Sequence, residues 1–63
     1  MKGEDIKRIR ARLDLNQAEF AELIGVPVRT LQNWEIDRNA PSGAAQALLK
    51  LAESGKLKPG KKS

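Results

Sequence analysis

The sequence predicts an all-α fold, a compact bundle of four helices, and three observations carry that prediction. Apolar residues recur at spacings of three and four in four separate stretches. Residues that cap or break helices, namely Asn16, Gly25, Pro27, Ser42 and Gly55, fall between or after those stretches. With 40% hydrophobic residues, 32% charged residues and Phe20 and Trp34 as the only aromatics, the composition is that of a soluble helical domain.

Helix one is expected over residues 4–13, with Ile6, Ile9, Arg10 and Leu13 on one face and Lys7, Arg8 and Arg12 pointing elsewhere. Asn16 followed three residues later by Glu19 reads as a capping box with Asn in place of Ser or Thr, so helix two runs over 17–24 with Phe20, Leu23 and Ile24 inward. Gly25 ends it, because glycine accepts the left-handed conformation that such a stop needs. Pro27 presets its backbone angle for a first helical turn, and helix three follows over 28–36. Val28, Leu31, Trp34 and Glu35 share one side of it, and Arg29, Gln32, Asn33 and Ile36 the other. After a loop over 37–41, Ser42 caps helix four over 43–54, and Gly55 closes it. The chain therefore divides into one domain over 1–55 and a basic tail over 56–63, whose apolar content is too low to pack and which is expected to be disordered.

A chain of 63 residues holds one core, since it buries only about 60% of its unfolded surface. It has no cysteine and no histidine, so neither a disulfide nor a soft-ligand metal site supports it, and a partner subunit is the remaining aid. Without His, Cys or Tyr the commonest general base is also missing, so no enzyme activity, metal or cofactor is expected. No apolar run approaches the roughly 20 residues of a membrane span, and no signal-peptide pattern opens the chain, so a cytoplasmic location is expected. The net charge is +4, but Lys56, Lys58, Lys61 and Lys62 all lie in the tail; without them eight basic residues stand against eight acidic ones. Affinity for an anionic partner then depends on where the charges sit.

So short a link between helices two and three makes a helix-turn-helix the natural reading, and small Ala21, four residues before Gly25, lets the two helices approach. The alternative is an ordinary helical hairpin in a small bundle. The outward face of helix three favours the first. Arg29 matches guanine O6 and N7, and Gln32 or Asn33 matches adenine N6 and N7, each by two hydrogen bonds. No acid lies between Val28 and Trp34 to repel phosphates. Val28 fits either a thymine methyl or the rim of the core, and Thr30 either a phosphate or a local cap.

The run Leu15-Asn16-Gln17-Ala18-Glu19, the Ala21 to Gly25 spacing, residues 26–31 and Trp34-Glu35 resemble the phage repressor and Cro family of helix-turn-helix regulators, often called the xenobiotic response element family. The resemblance covers roughly residues 4–54, and the segment 31–41 around Asn33-Trp34-Glu35 is also similar to DNA-binding antitoxins of toxin-antitoxin operons. It implies a lambda repressor-like bundle, cytoplasmic and associated with the nucleoid. It further implies a sequence-specific regulator, most concretely a repressor that sets helix three in the major groove of double-stranded DNA. A homodimer on a palindromic operator would meet half-sites about 34 Å apart. A toxin is a further implied partner. Base reading carries over to Val28, Arg29, Gln32 and Asn33. The phosphate grip at the start of helix two carries over to Gln17, and the loop contact with the backbone to Arg38 and Asn39; Asn16 and Thr30 complete the expected backbone set.

Arg10 and Glu35 both fall on inward faces among apolar neighbours, where a buried charge needs a partner. Relatives pair residues at the matching positions, so an ion pair of structural role is expected to tie helix one to helix three; the alternative is that both side chains reach water. Trp34 shares its face with Leu31 and reads as core. Asp37 stands where the family commonly has glycine, an acid beside the expected phosphate contacts that still tolerates a left-handed turn. Helix four is apolar over a wide arc, and Ala44, Ala47 and Leu51 form the candidate dimer contact, unless the bundle buries the whole arc. Relatives often continue into a fifth helix that helps dimerise. The competing reading is a protein-interaction module or antitoxin that acts mainly through a partner bound at helix four.

Overall fold

The four periodic stretches become four helices in the computed structural model, which describes residues 1–57: α1 (Gly3–Arg12), α2 (Gln17–Ile24), α3 (Val28–Glu35) and α4 (Gly43–Glu53). No strand occurs among the described residues. α1 packs on α3 and α4, and α2 packs on the same two helices. Each helix sends one large side chain into full burial: Ile6, Phe20, Leu31 and Leu49. Burying side chains of this size stabilises the fold by about 1.5–3 kcal/mol apiece. Ile9, Ala21, Ile24, Trp34, Ala45 and Ala52 complete the core, with Trp34 inside it.

Local hydrogen bonds set the starts. The Asn16 side chain accepts the Glu19 N–H at 2.7 Å while Glu19 accepts the Asn16 N–H at 2.9 Å, which satisfies two donors that the first turn of α2 leaves free. Ser42 Oγ accepts the Ala45 N–H at 3.2 Å at the start of α4. Pro27 is the residue before the first helical turn of α3, with φ −62°, and its carbonyl accepts the Thr30 N–H at 3.0 Å.

The ends share one device. A left-handed residue follows each helix: Asp14 (φ 59°), Gly25 (φ 89°), Asp37 (φ 61°) and Gly55 (φ 83°). After α3, the Asp37 N–H bonds to the Trp34 carbonyl at 3.1 Å and the Arg38 N–H to the Asn33 carbonyl at 2.9 Å, the paired bonds that close a helix with a left-handed cap. The same pattern after α4 folds the chain back: the Lys56 and Leu57 N–H groups both reach the Leu51 carbonyl, and Leu57 packs against the core. Packing thus extends to Leu57, two residues past the boundary expected at 55, because the Gly55 turn returns an apolar side chain to the bundle. The rest of the expected tail, 58–63, lies outside the described residues.

Three helices differ by one residue from their expected bounds. α1 starts at Gly3, one residue early, and Ile36 and Ser54 are the residues that close α3 and α4 rather than their last turns. Val28, at the first position of α3, is 40% exposed while Leu31, Trp34 and Glu35 on the same side are buried, the more open of the two places the sequence leaves to it.

Candidate nucleic-acid interface

Residues 25–27 alone join α2 to α3. Gly25 makes this possible through its backbone angle, since open space surrounds the position where a Cβ would stand. The Gly25 and Val26 N–H groups both bond to the Ala21 carbonyl, at 2.8 and 3.0 Å, and Ala21 itself is buried. α3 then presents Val28, Arg29, Gln32 and Ile36 outward, with Thr30 and Asn33 half-buried at the edges of that face. Leu31, Trp34 and Glu35 turn inward. The outward face carries no acid. Beyond it, Arg38 and Asn39 are exposed in the loop, and their N–H groups bond to the Asn33 carbonyl, so the loop is anchored to α3 itself.

A chain of side-chain hydrogen bonds runs under this face. Arg10 Nε donates to Glu35 Oε2 at 2.8 Å and Arg10 Nη2 to Glu35 Oε1 at 3.3 Å, a two-pronged pair between α1 and α3. Arg10 Nη1 donates to the Leu15 carbonyl at 3.2 Å. The Glu35 side chain is 4% exposed and that of Arg10 23%, so the charges meet at the edge of the core. Gln17, half-buried at the start of α2, donates from Nε2 to Glu35 Oε1 at 2.9 Å and accepts from Gln32 Nε2 at 3.2 Å. The path Arg10, Glu35, Gln17, Gln32 therefore links three helices and ends on the outward face. Among the described residues no buried side-chain nitrogen or oxygen lacks a partner.

Asp37 is exposed, yet its Oδ1 accepts the Gly3 N–H at 2.8 Å. The acid is thus engaged at the start of α1, where a helix favours negative charge.

A helix-turn-helix family model matches residues 6–59, most of the chain, including all of α2, α3 and α4 and most of α1. The chain belongs to the helix-turn-helix family. Over 50 residues it is 40% identical to Antitoxin HigA-2 of Vibrio cholerae serotype O1, a match covering 79% of this chain and 48% of that protein. The chain spans about half the length of this curated relative. No solved structure matches it significantly.

In helix-turn-helix terms α2 is the first helix, residues 25–27 the turn and α3 the second helix. The motif brings together Arg29, Gln32 and Gln17, with Val28 beside them and Asn16 exposed at the start of α2. The stripe on α4 lies apart: Ala44, Ala47 and Leu51 are exposed, Leu51 by 42%, while Ala45, Leu49 and Ala52 fill the core. Sequence reasoning missed two features of the helix-turn-helix. The two hydrogen bonds of Gln17, donated to Glu35 and accepted from Gln32, cross 18 and 15 positions, and only the amide type at the start of α2 signalled them. The contact between Gly3 and Asp37 had no local signal beyond a glycine next to a helix start. Among the described residues no three or more His, Cys, Asp or Glu side chains gather as a metal ion would require, and no helix is long and apolar enough to cross a membrane.

Proposed function

We propose that this chain is the sequence-specific, double-stranded DNA-binding part of a transcriptional regulator, and that it represses by setting α3 in the major groove. The observation that carries the reading is the acid-free outward face of α3, where Arg29 and Gln32 stand exposed on a helix held from behind by Arg10 and Gln17, both bonded to its Glu35. Arg29 would read guanine, Gln32 and Asn33 adenine, and exposed Val28 a thymine methyl. Gln17, Asn16, Thr30, Arg38 and Asn39 would hold the backbone and fix the register of α3. The exposed Ala44, Ala47 and Leu51 stripe supports a homodimer on a palindromic operator, acting in the cytoplasm at the nucleoid where such DNA lies.

The 40% identity to an antitoxin favours a second reading that is compatible with the first: a regulator of a toxin-antitoxin operon, with a toxin as partner engaged at α4. Both readings are of a binding protein, and the helix-turn-helix family points to a non-enzymatic regulator. Selection of bound duplexes from a random library is expected to return a palindromic motif with half-sites about 34 Å apart. Fluorescence anisotropy at low salt that shows no affinity for any duplex would transfer the function to partner binding.

A further inference from the structure

We propose that Glu35, acting through Gln17, sets which end of the Gln32 amide faces outward, and thereby makes Gln32 select adenine over guanine. The inference rests on the DNA reading above and assigns to a buried carboxylate a part in base choice. Each link follows from what the groups can do. Glu35 faces the guanidinium of Arg10, which is always charged, and a carboxylate only accepts hydrogen bonds. The Gln17 atom 2.9 Å from Glu35 Oε1 must therefore be its nitrogen, and the other end of that amide its oxygen. That oxygen accepts from the Gln32 nitrogen, 3.2 Å away on the outward face of α3, so the Gln32 amide turns its nitrogen toward Gln17. A direction imposed by a buried charge is handed from one amide to the next.

The consequence lies at the outward end. A free glutamine turns either end of its amide to a base at little cost. Gln32 has one N–H committed to Gln17, leaving its carbonyl oxygen and a single N–H to offer. Adenine presents a donor at N6 and an acceptor at N7, which that pair matches; guanine presents acceptors at O6 and N7 and asks for two donors. Glu35 and Gln17 are thus positioning residues for the choice that Gln32 makes.

The test is duplex selection from a random library with the wild-type chain and three variants. Gln32→Ala marks the position that Gln32 reads, as the one whose preference disappears. At that position the wild type is expected to favour adenine over guanine about tenfold. Gln17→Met, which keeps the side-chain length and removes both hydrogen bonds, is expected to lower that ratio to about threefold or less, alongside a general loss of affinity that leaves the other base preferences in place. Glu35→Gln can donate toward Gln17, reverse the chain and turn both Gln32 N–H groups outward, so its preference is expected to move toward guanine. A purely structural Glu35 would change melting temperature and overall affinity without altering one base. Should Glu35→Gln not fold, Gln17→Met carries the test. Variants that bind and keep the wild-type ratio overturn this inference alone, as does a wild type whose Gln32 position shows no adenine preference. A wild type that selects no motif overturns the DNA reading and this inference together.

Discussion

The Asp37 carboxylate accepts the Gly3 N–H at 2.8 Å, so the left-handed residue that follows α3 also caps the start of α1. Sequence separates the two by 34 positions. Gly3 is buried, and a Cβ on it would collide with the carbonyl of Glu35 and come within 2.6 Å of the Trp34 oxygen. The seam between α1 and α3 therefore closes backbone to backbone, with the carboxylate as its outer clasp.

Gly3→Ala tests that fit. Alanine is the better helix former by about 1 kcal/mol. Forcing a methyl against backbone costs about 1–3 kcal/mol, and a carbonyl has less freedom to yield than a side chain. The clash wins, and the variant is expected to melt several degrees lower, at about 4–8 °C per kcal/mol for a domain of this size. A melting temperature at or above that of the wild type would refute the close approach.

Asp14 and Asp37 share a left-handed backbone, at φ 59° and 61°, and differ in employment. Asp14 is exposed, so Asp14→Gly relieves strain and is expected to be neutral or stabilising by up to about 1 kcal/mol, less the entropy that glycine adds to the unfolded chain. Asp37→Gly relieves the same strain but strands the Gly3 N–H, at about 1–3 kcal/mol. Urea unfolding should place Asp37→Gly below Asp14→Gly; equal midpoints would show that the clasp contributes nothing.

Arg10→Met leaves the Glu35 carboxylate in the core edge without its cation, at an expected cost of about 3–5 kcal/mol. Adding Glu35→Leu removes the stranded charge and should recover much of that loss. A double-mutant cycle by chemical unfolding reads this directly, and additive losses would mean that the pair is uncoupled.

Asp5 is held below its ordinary value of 3.8, first by the Lys2 N–H that it accepts and then by Arg8, with partial shielding from water opposing. A carboxylate with a lowered folded-state value contributes stability that is complete above 3.8 and is lost as pH falls through the folded value, below 3.8. Asp5→Asn should thus melt below the wild type at neutral pH and converge on it in acid. A gap that stays constant across that range would assign the effect to something other than this carboxylate.

Arg29→Ala is expected to weaken binding to the selected duplex by about 1–3 kcal/mol and to relax preference at one base. Equal losses on cognate and scrambled duplexes in a mobility-shift series would reject base reading by Arg29.

What the sequence reveals of this fold is what local chemistry decides. The bounds of α2 are readable because each is set locally: Asn16 and Glu19 cap its start across three positions, and the Gly25 N–H reaches back four positions to the Ala21 carbonyl at its end. The division of α3 into an inward Leu31 and Trp34 and an outward Arg29 and Gln32 follows from helical period alone. Arg10 and Glu35 stand out because charge among apolar neighbours demands an answer, and they meet at 2.8 Å. Features set by distant contact stay hidden. Periodicity sets Val28 on the side of Leu31 but not how far its neighbours cover it, and low apolar content puts Leu57 in an unpacked tail, whereas the left-handed turn at Gly55 returns it to the core. Asp14 takes the left-handed stop of α1 with no glycine to mark it. Gln17 offers a donor and an acceptor in every direction, and only its placement beside Glu35 and Gln32 commits both.

The wedge at Gly3 also has a practical side for anyone attaching probes. A fluorophore or crosslinker grafted at that spot would pry two backbones apart and shift the arginine-bearing coil with them. Glu22, which stands exposed on α2, offers a handle that leaves the seam shut.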